Sequence, residues 1–375
     1  MAIYAPEYLF HPEGWLQHHV VEIDEQGFVL SVRKRSAQET VEELPGYLFP
    51  GLVNAHCHLE LSHLAGQIEP GQGMSPFIRE VFRLRNAFSE DQQLRAISQA
   101  IKRLPVSGTV AVGDICNTDV TVGPKKDMSD VYFHNFLELP GLDPSRAEQV
   151  WHHGERLHQS FGELPHSFTP HAPYSMSLPL LKRVYEHTRH ASVHLLESRD
   201  EVELFVMREG FLADTFHDFG IVFPAFPDLH PIDYITRNLD PQTRIIWVHN
   251  TLISQTDISS LIRKAPDSYF CLCPLSNQFL HKRSPDLSQF HAVKHRVCLG
   301  TDSLASNRDI DLWKEVQEIL TLADPPDFHT AVSWATTNGA NALGIGNRFG
   351  KFRPGLRPGL LWARSPVSEK VEKIA

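Results

Sequence analysis

The stretch Pro50-Gly-Leu-Val-Asn-Ala-His56-Cys-His58 carries two imidazoles one residue apart behind an apolar run. In a β-strand, residues i and i+2 project to the same side, so His56 and His58 point together while Cys57 points away. Two imidazoles fixed on one face make half of a metal site. Taken alone, the pair has a plain alternative, two unrelated polar residues, because the chain holds 22 histidines. Four later positions add weight, each closing a predicted strand. His194 follows Ser-Val, with Glu197 three residues on; His249 follows Ile-Ile-Trp-Val. Pro274-Leu-Ser-Asn277 follows Cys-Leu-Cys, and Asp302 follows Val-Cys-Leu-Gly-Thr. Polar residues recurring at strand ends read as one site, because parallel-strand enzymes place their chemistry at C-terminal strand ends.

Such residues need a frame that brings strand ends together. To about Pro50 the chain reads as short strands: Tyr4 to Phe10, His18 to Ile23, Gly27 to Val32 and a run ending in Gly46-Tyr-Leu-Phe49. Short apolar runs then alternate with helical periods. The strand candidates are Gly51 to Ala55, Thr109 to Gly113, Val131 to Leu139, Ser167 to His171, Ser192 to Leu196, Arg244 to His249, Tyr269 to Cys273 and Val297 to Gly300. Helix candidates between and after them include Pro76 to Ala87, Asp91 to Leu104, Ser177 to His190, Asp257 to Lys264, Asp311 to Ala323 and Phe328 to Leu343. Eight β runs with helix-length connections predict an α/β protein with a closed (β/α)8 TIM-type barrel; an open doubly wound sheet is the competing topology. The tail from Gly350 is rich in Gly and Pro and carries one apolar run, Leu360 to Ala363. The expected organisation is a barrel over residues 50–349, with segments 1–49 and 350–375 joining in a small β appendage.

Length and composition set the outer limits. The chain has 375 residues, 42% of them hydrophobic and 21% charged, the profile of a globular protein with a sizeable core. A formal net charge of −10 argues against a nucleic-acid or anionic-membrane surface. Five scattered cysteines suit a reducing cytoplasm better than a disulfide framework. The first residues lack the basic and apolar regions of a signal peptide, and no apolar run approaches the ~20 residues that span a bilayer. A cytoplasmic protein is expected.

The ordered set His56-Cys-His58, His171-Ala-Pro-Tyr-Ser175, His194-Leu-Leu-Glu197, His249, Cys273-Pro-Leu-Ser-Asn277 and Gly300-Thr-Asp302 resembles the amidohydrolase superfamily. The likeness runs from about Pro50 to Thr336-Thr-Asn-Gly-Ala-Asn-Ala-Leu-Gly344. It is strongest toward the mononuclear branch of S-adenosylhomocysteine, methylthioadenosine and aminodeoxyfutalosine deaminases and the triazine and guanine hydrolases. The resemblance implies one divalent metal, zinc or alternatively iron, held by His56, His58, His194 and Asp302. A cation of that kind brings the pKa of bound water to around 7. Binuclear relatives carry a lysine on the fourth strand, whereas Ser167-Phe-Thr-Pro-His171 has none. Glu197 then resembles the general acid/base, His249 the residue orienting the attacking hydroxide, and Asp302 the acceptor of its proton. His171 resembles a substrate contact.

Glu197 poses a geometric demand, since strict strand alternation would turn it away from His194. The strand must end or bulge near Leu196. Glu60 shares the parity of His56 and His58 but suits a structural salt bridge equally well. Cys271-x-Cys273, with no second pair at zinc-ribbon spacing, reads as strand core. The expected function is hydrolytic deamination of an amino-heterocycle, an adenine nucleoside derivative foremost, with release of ammonia. Guanine, cytosine or triazine substrates are alternatives, as is hydrolysis of a cyclic amide or C–Cl bond. From another class, a catalytically dead barrel scaffold is the rival. The resemblance suggests a homodimer.

Overall fold

The computed structural model describes residues 1–221 and 229–374. Five strands open the chain: β1 (Ala2–His11), β2 (Gly14–Leu16), β3 (His19–Ile23), β4 (Val29–Lys34) and β5 (Glu42–Pro50). Eight more follow: β6 (Leu52–Cys57), β7 (Thr109–Cys116), β8 (Tyr132–Glu138), β9 (His166–Thr169), β10 (His190–Leu195), β11 (Arg244–His249), β12 (Ser268–Leu272) and β13 (Val297–Leu299). The chain returns in β14 (Leu360–Ala363) and β15 (Glu372–Lys373).

The outer strands form one seven-stranded sheet in the order β15-β14-β5-β1-β3-β4, with β2 paired to β1. The tail does return to the N-terminal strands: β14 runs antiparallel to β5, Leu360 opposite Pro50 and Ala363 opposite Tyr47. Leu9, Val21, Leu48, Leu360 and Trp362 pack together beneath this sheet.

The eight inner strands make two four-stranded sheets, β6-β7-β8-β9 and β10-β11-β12-β13, parallel at every neighbouring pair. Parallel neighbours need crossover connections, which here are helices such as Glu90–Arg103, Leu178–His187 and Gln255–Lys264. Ser89 opens the first of these with a reciprocal bond to Gln92, and Ser254 opens the third with Asp257 in the same way. Helices cover the strands, which explains why Ile-Ile-Trp-Val of β11 is buried throughout rather than on alternate residues.

Hydrogen bonds also join the two sheets at both edges. Between β9 and β10, the His194 amide donates to the His171 carbonyl at 2.9 Å, and Thr169 Oγ1 donates to the Ser192 carbonyl at 2.6 Å. Between β13 and β6, the amides of Thr301 and Asp302 both donate to the His56 carbonyl, at 3.0 and 3.1 Å. Strand ends are therefore gathered on one side of the molecule. Among the described residues, no helix is long and apolar enough to cross a membrane.

Two elements differ from the sequence expectation. The strand expected over Ser167 to His171 stops at Thr169, because Pro170 has no amide hydrogen for the ladder. The single helix expected over Phe328 to Leu343 is broken into Phe328–Ser333, a π-helical turn Trp334–Asn338 and Gly339–Ala342, before Gly344 stops it at φ 73°. The Asn338 amide, within the widened turn, donates to the carbonyls of Lys294 and Val297 and so ties it to β13.

At the β6–β13 edge, Gly300 lies so close that an added Cβ would stand 2.8 Å from the His56 carbonyl and 2.9 Å from Cys271 Sγ. Gly300→Ala is expected to cost about 1–3 kcal/mol through overpacking. A urea midpoint lower than wild type, with unchanged slope, is the measurement that checks it.

Candidate active site

His56 is the penultimate residue of β6 and His58 lies one residue beyond its end. Their rings stand 4.9 Å apart, with Nε2 facing Nε2 at 3.1 Å. His194 comes from β10, its ring 4.9 Å from that of His56. Asp302 follows β13 and turns Oδ1 toward both members of the pair, 3.3 Å from His58 Nε2 and 3.6 Å from His56 Nε2. The four side chains that the sequence puts forward as ligands are together.

The backbone at the strand ends is unusual. Leu196, His249 and Asp302 have φ of 49°, 69° and 58°. A non-glycine residue in the left-handed region costs roughly 1–2 kcal/mol, and such strain collects at functional sites. Leu196 supplies the turn that Glu197 requires: after it, the Glu197 carboxylate swings to Oε2 3.6 Å from His249 Nε2 and Oε1 3.6 Å from His281 Nε2.

Hydrogen bonding on the far side of each ring orders the protons. Asn277 Oδ1 faces His249 Nδ1 at 3.0 Å, which makes Nδ1 the donor and leaves His249 Nε2 as an acceptor. His249 Nε2 in turn lies 3.0 Å from His194 Nδ1, so that nitrogen carries the hydrogen. His194 Nε2 then bears a lone pair, and it is a buried atom with no hydrogen-bond partner among the described residues. His56 Nδ1 approaches Ser192 Oγ at 3.3 Å. Burial favours the neutral form of two of these imidazoles: it takes His58 down to about 3 and His194 well below the ordinary value, neighbouring imidazoles adding to the effect at His194. Asp302 is instead held well below the carboxylate range; burial opposes this, but the neighbouring imidazoles of His56, His58 and His249 outweigh it. Its second oxygen accepts from Ser276 Oγ at 2.7 Å and Ser306 Oγ at 2.6 Å.

Proton-free imidazole nitrogens and a carboxylate oriented from behind are the donor set of a divalent cation. His56, His58 and Asp302 bring ligand atoms within 4.8 Å of one another, as do His56, His194 and His249. A cavity of about 580 Å³ opens on His58, His171, His194, Glu197, His249 and Asp302. Its far wall is apolar, built by Met74, Phe77, Ile78 and Val81 of the helix Met74–Leu84. His171 is half-buried on the cavity wall, its Nδ1 2.6 Å from Ser175 Oγ. Glu60 faces away, accepting from the amides of Asn117 and Thr118 and from Thr118 Oγ1, each at 3.0 Å, with Arg85 3.9 Å distant. Cys271 and Cys273 are buried and unpaired, as core.

Ser276 and Asn277, in the stretch Pro274-Leu-Ser-Asn277, sit in the first turn of a helix, Pro274–His281, and touch Asp302 and His249. Glu138, the last residue of β8, also lines the cavity. The signal that found His249 and Asp302, a polar residue closing a strand, was present there too. Beneath β6, the Leu59 amide donates to Asp114 Oδ1 at 2.8 Å, and Asp114 pairs with Lys125, both fully buried. Burial pushes the Lys125 ammonium down, but the Asp114 charge outweighs it and Lys125 stays charged. Sequence alone offered no sign that these two charges meet.

Histidines and one aspartate at parallel strand ends, with a buried glutamate beside them, define a hydrolase centre of the metal-dependent kind. The chain belongs to the amidohydrolase family, whose model matches residues 47–361. It is 26% identical to a 5-methylthioadenosine/S-adenosylhomocysteine deaminase of Saccharophagus degradans, over 92% of this chain and 79% of that one. In structure it is similar to Helicobacter pylori aminofutalosine deaminase in complex with methylthio-coformycin, at a TM-score of 0.84 and 21% identity, covering 99% of this chain and 98% of the other. An adenosine deaminase from Xanthomonas campestris with bound zinc gives a TM-score of 0.71 at 21% identity, with 96% and 84% covered.

Lys125→Met leaves the Asp114 carboxylate buried without its counter-charge. A loss of about 3–5 kcal/mol is expected, read as a fall in the denaturant midpoint, and Asp114→Asn in the same chain should recover part of it.

Proposed function

We propose that this protein is a metal-dependent deaminase of an amino-heterocycle, with an adenine nucleoside derivative as substrate. The observation that carries the reading is the convergence of His58, His194 and Asp302 on one cavity that Glu197 and His249 also face, with His56 clustered against them from below. The relatives' names support the substrate class. The same reading takes the inner strands as one closed (β/α)8 barrel over residues 50–349, supported by the hydrogen bonds at both sheet edges. Segments 1–49 and 350–375 then form the appendage, supported by the β5–β14 pairing.

His56, His58, His194 and Asp302 would hold one divalent cation, zinc foremost, and the free lone pairs on their facing atoms fit it. Bound there, the cation supplies Lewis-acid activation of water near neutral pH. Asp302 accepts the water proton at Oδ1, since Oδ2 is occupied by the two serine hydroxyls. Glu197 protonates the ring nitrogen beside the attacked carbon and later returns a proton to the departing ammonia. Its burial excludes competing water, and its amide is anchored on Glu201 Oε2 at 3.3 Å. His249, fixed by Asn277, orients the attacking oxygen. His171 contacts the heterocycle. A scaffold would be free to lose these groups; here all are present and oriented. Five buried, unpaired cysteines suit a reducing compartment.

The deciding experiment is a panel of adenine nucleosides, guanine, cytosine and aminotriazines, following ammonia and the ultraviolet shift. Ammonia from adenine nucleosides, lost on chelation and restored by zinc, is the expected result; turnover of guanine or cytosine alone would sink the nucleoside assignment. Glu197→Gln should keep one metal per chain and lower kcat by about 10²–10⁴-fold. Asp302→Asn with near-normal kcat would contradict its proton-accepting role.

A further inference from the structure

Glu138 closes β8 and is only 2% exposed. Asn117 clamps it: the amide nitrogen donates to Glu138 Oε2 at 2.9 Å and to the Glu138 carbonyl at 3.1 Å. The clamp leaves Oε1 buried with no hydrogen-bond partner among the described residues. His194 Nε2 stands 3.7 Å away, beyond hydrogen-bond reach. A buried acceptor without a donor is costly, and a ligand that brings a donor removes that cost.

The chemistry of the donor follows from position. Glu197, His249 and Asp302 define where the reacting amine must lie. Glu138 clusters instead with His171 and His194. Apart from its exocyclic amine, an adenine ring offers its nitrogens only as acceptors. The hydrogen-bond donors left on an adenine nucleoside are its sugar hydroxyls. We propose that Glu138 Oε1 accepts a hydrogen bond from a sugar hydroxyl of the substrate and thereby selects for it, an inference that rests on the nucleoside reading above. The carboxylate also disfavours an anionic substituent at that point.

The test is steady-state kinetics of wild type and Glu138→Gln on adenosine and its 2′-, 3′- and 5′-deoxy analogues, with metal content measured for each protein. In the variant the Asn117 donor selects the amide oxygen, so the NH₂ group replaces the free acceptor. Wild type should lose about 10- to 100-fold in kcat/KM on one deoxy analogue, the worth of a hydrogen bond to a charged group. In Glu138→Gln that gap should close, by loss on adenosine, with metal content unchanged. Asn117→Ala keeps the carboxylate, frees its orientation, and should narrow the same gap; it serves if the Gln variant does not fold. A gap of unchanged size, or no gap in wild type, overturns the proposal while deamination itself stands. Lower metal content in Glu138→Gln also overturns it, making Glu138 a cation ligand with His171 and His194. No turnover of any nucleoside removes the nucleoside reading and this inference with it.

Discussion

The Nε2 atoms of His56 and His58 stand 3.1 Å apart in a region closed to bulk water. Asp302 adds a carboxylate oxygen 3.3 Å from His58 Nε2, and His194 presents a buried nitrogen with no hydrogen-bond partner among the described residues. Three of these groups are held from behind, His56 by Ser192, His194 by His249 and Asp302 by Ser276 and Ser306, and burial opposes the imidazolium at His58. An arrangement of this kind is stabilised by a positive charge at its centre, which is the physical basis of the proposed cation.

Holding that arrangement demands rigidity from the strands. The His56 carbonyl accepts from two amides of the chain after β13, which ties the His56–His58 pair to Asp302. Left-handed residues at Leu196, His249 and Asp302 end three strands and redirect the chain where the chemistry lies. Strain of that kind persists only where surrounding packing leaves no cheaper path. Here the packing is a continuous apolar core that includes Val193, Leu195, Trp247 and Leu299. The buried pair Asp114–Lys125 adds a fixed anchor under the turn at Leu59, one residue past His58.

The cavity is divided by function. Its floor carries the titratable groups, and one wall is apolar, so a flat heterocycle can lie against the wall while its reacting edge meets the polar floor. Water is excluded from Glu197 by the same burial that seats the ring. Proton transfer and desolvation thus come from one geometry rather than from separate devices.

Much of this was legible along the chain. Apolar runs ending in His, Asp or Glu located the strands and their chemically active ends, since side-chain alternation and burial are local properties. Spacing, together with the role that the resemblance implies for Glu197, predicted that the strand must end or bulge near Leu196. Other features depended on residues far apart in sequence. Ser192 orients His56 across 136 positions, and Asn117 clamps Glu138 from a neighbouring strand end. Ser276 and Asn277 reach the site because Pro274 starts a helix there, which the short polar stretch did not signal. The π-turn at Trp334–Asn338 is set by contacts with Lys294 and Val297, not by helical propensity. The sequence by itself determined which residues stand at strand ends, because periodicity and burial are written in consecutive residues. Only the tertiary structure decided which atom of each ring faces inward and which carboxylate is left without a donor, because those depend on hydrogen bonds between segments that meet only in the folded chain.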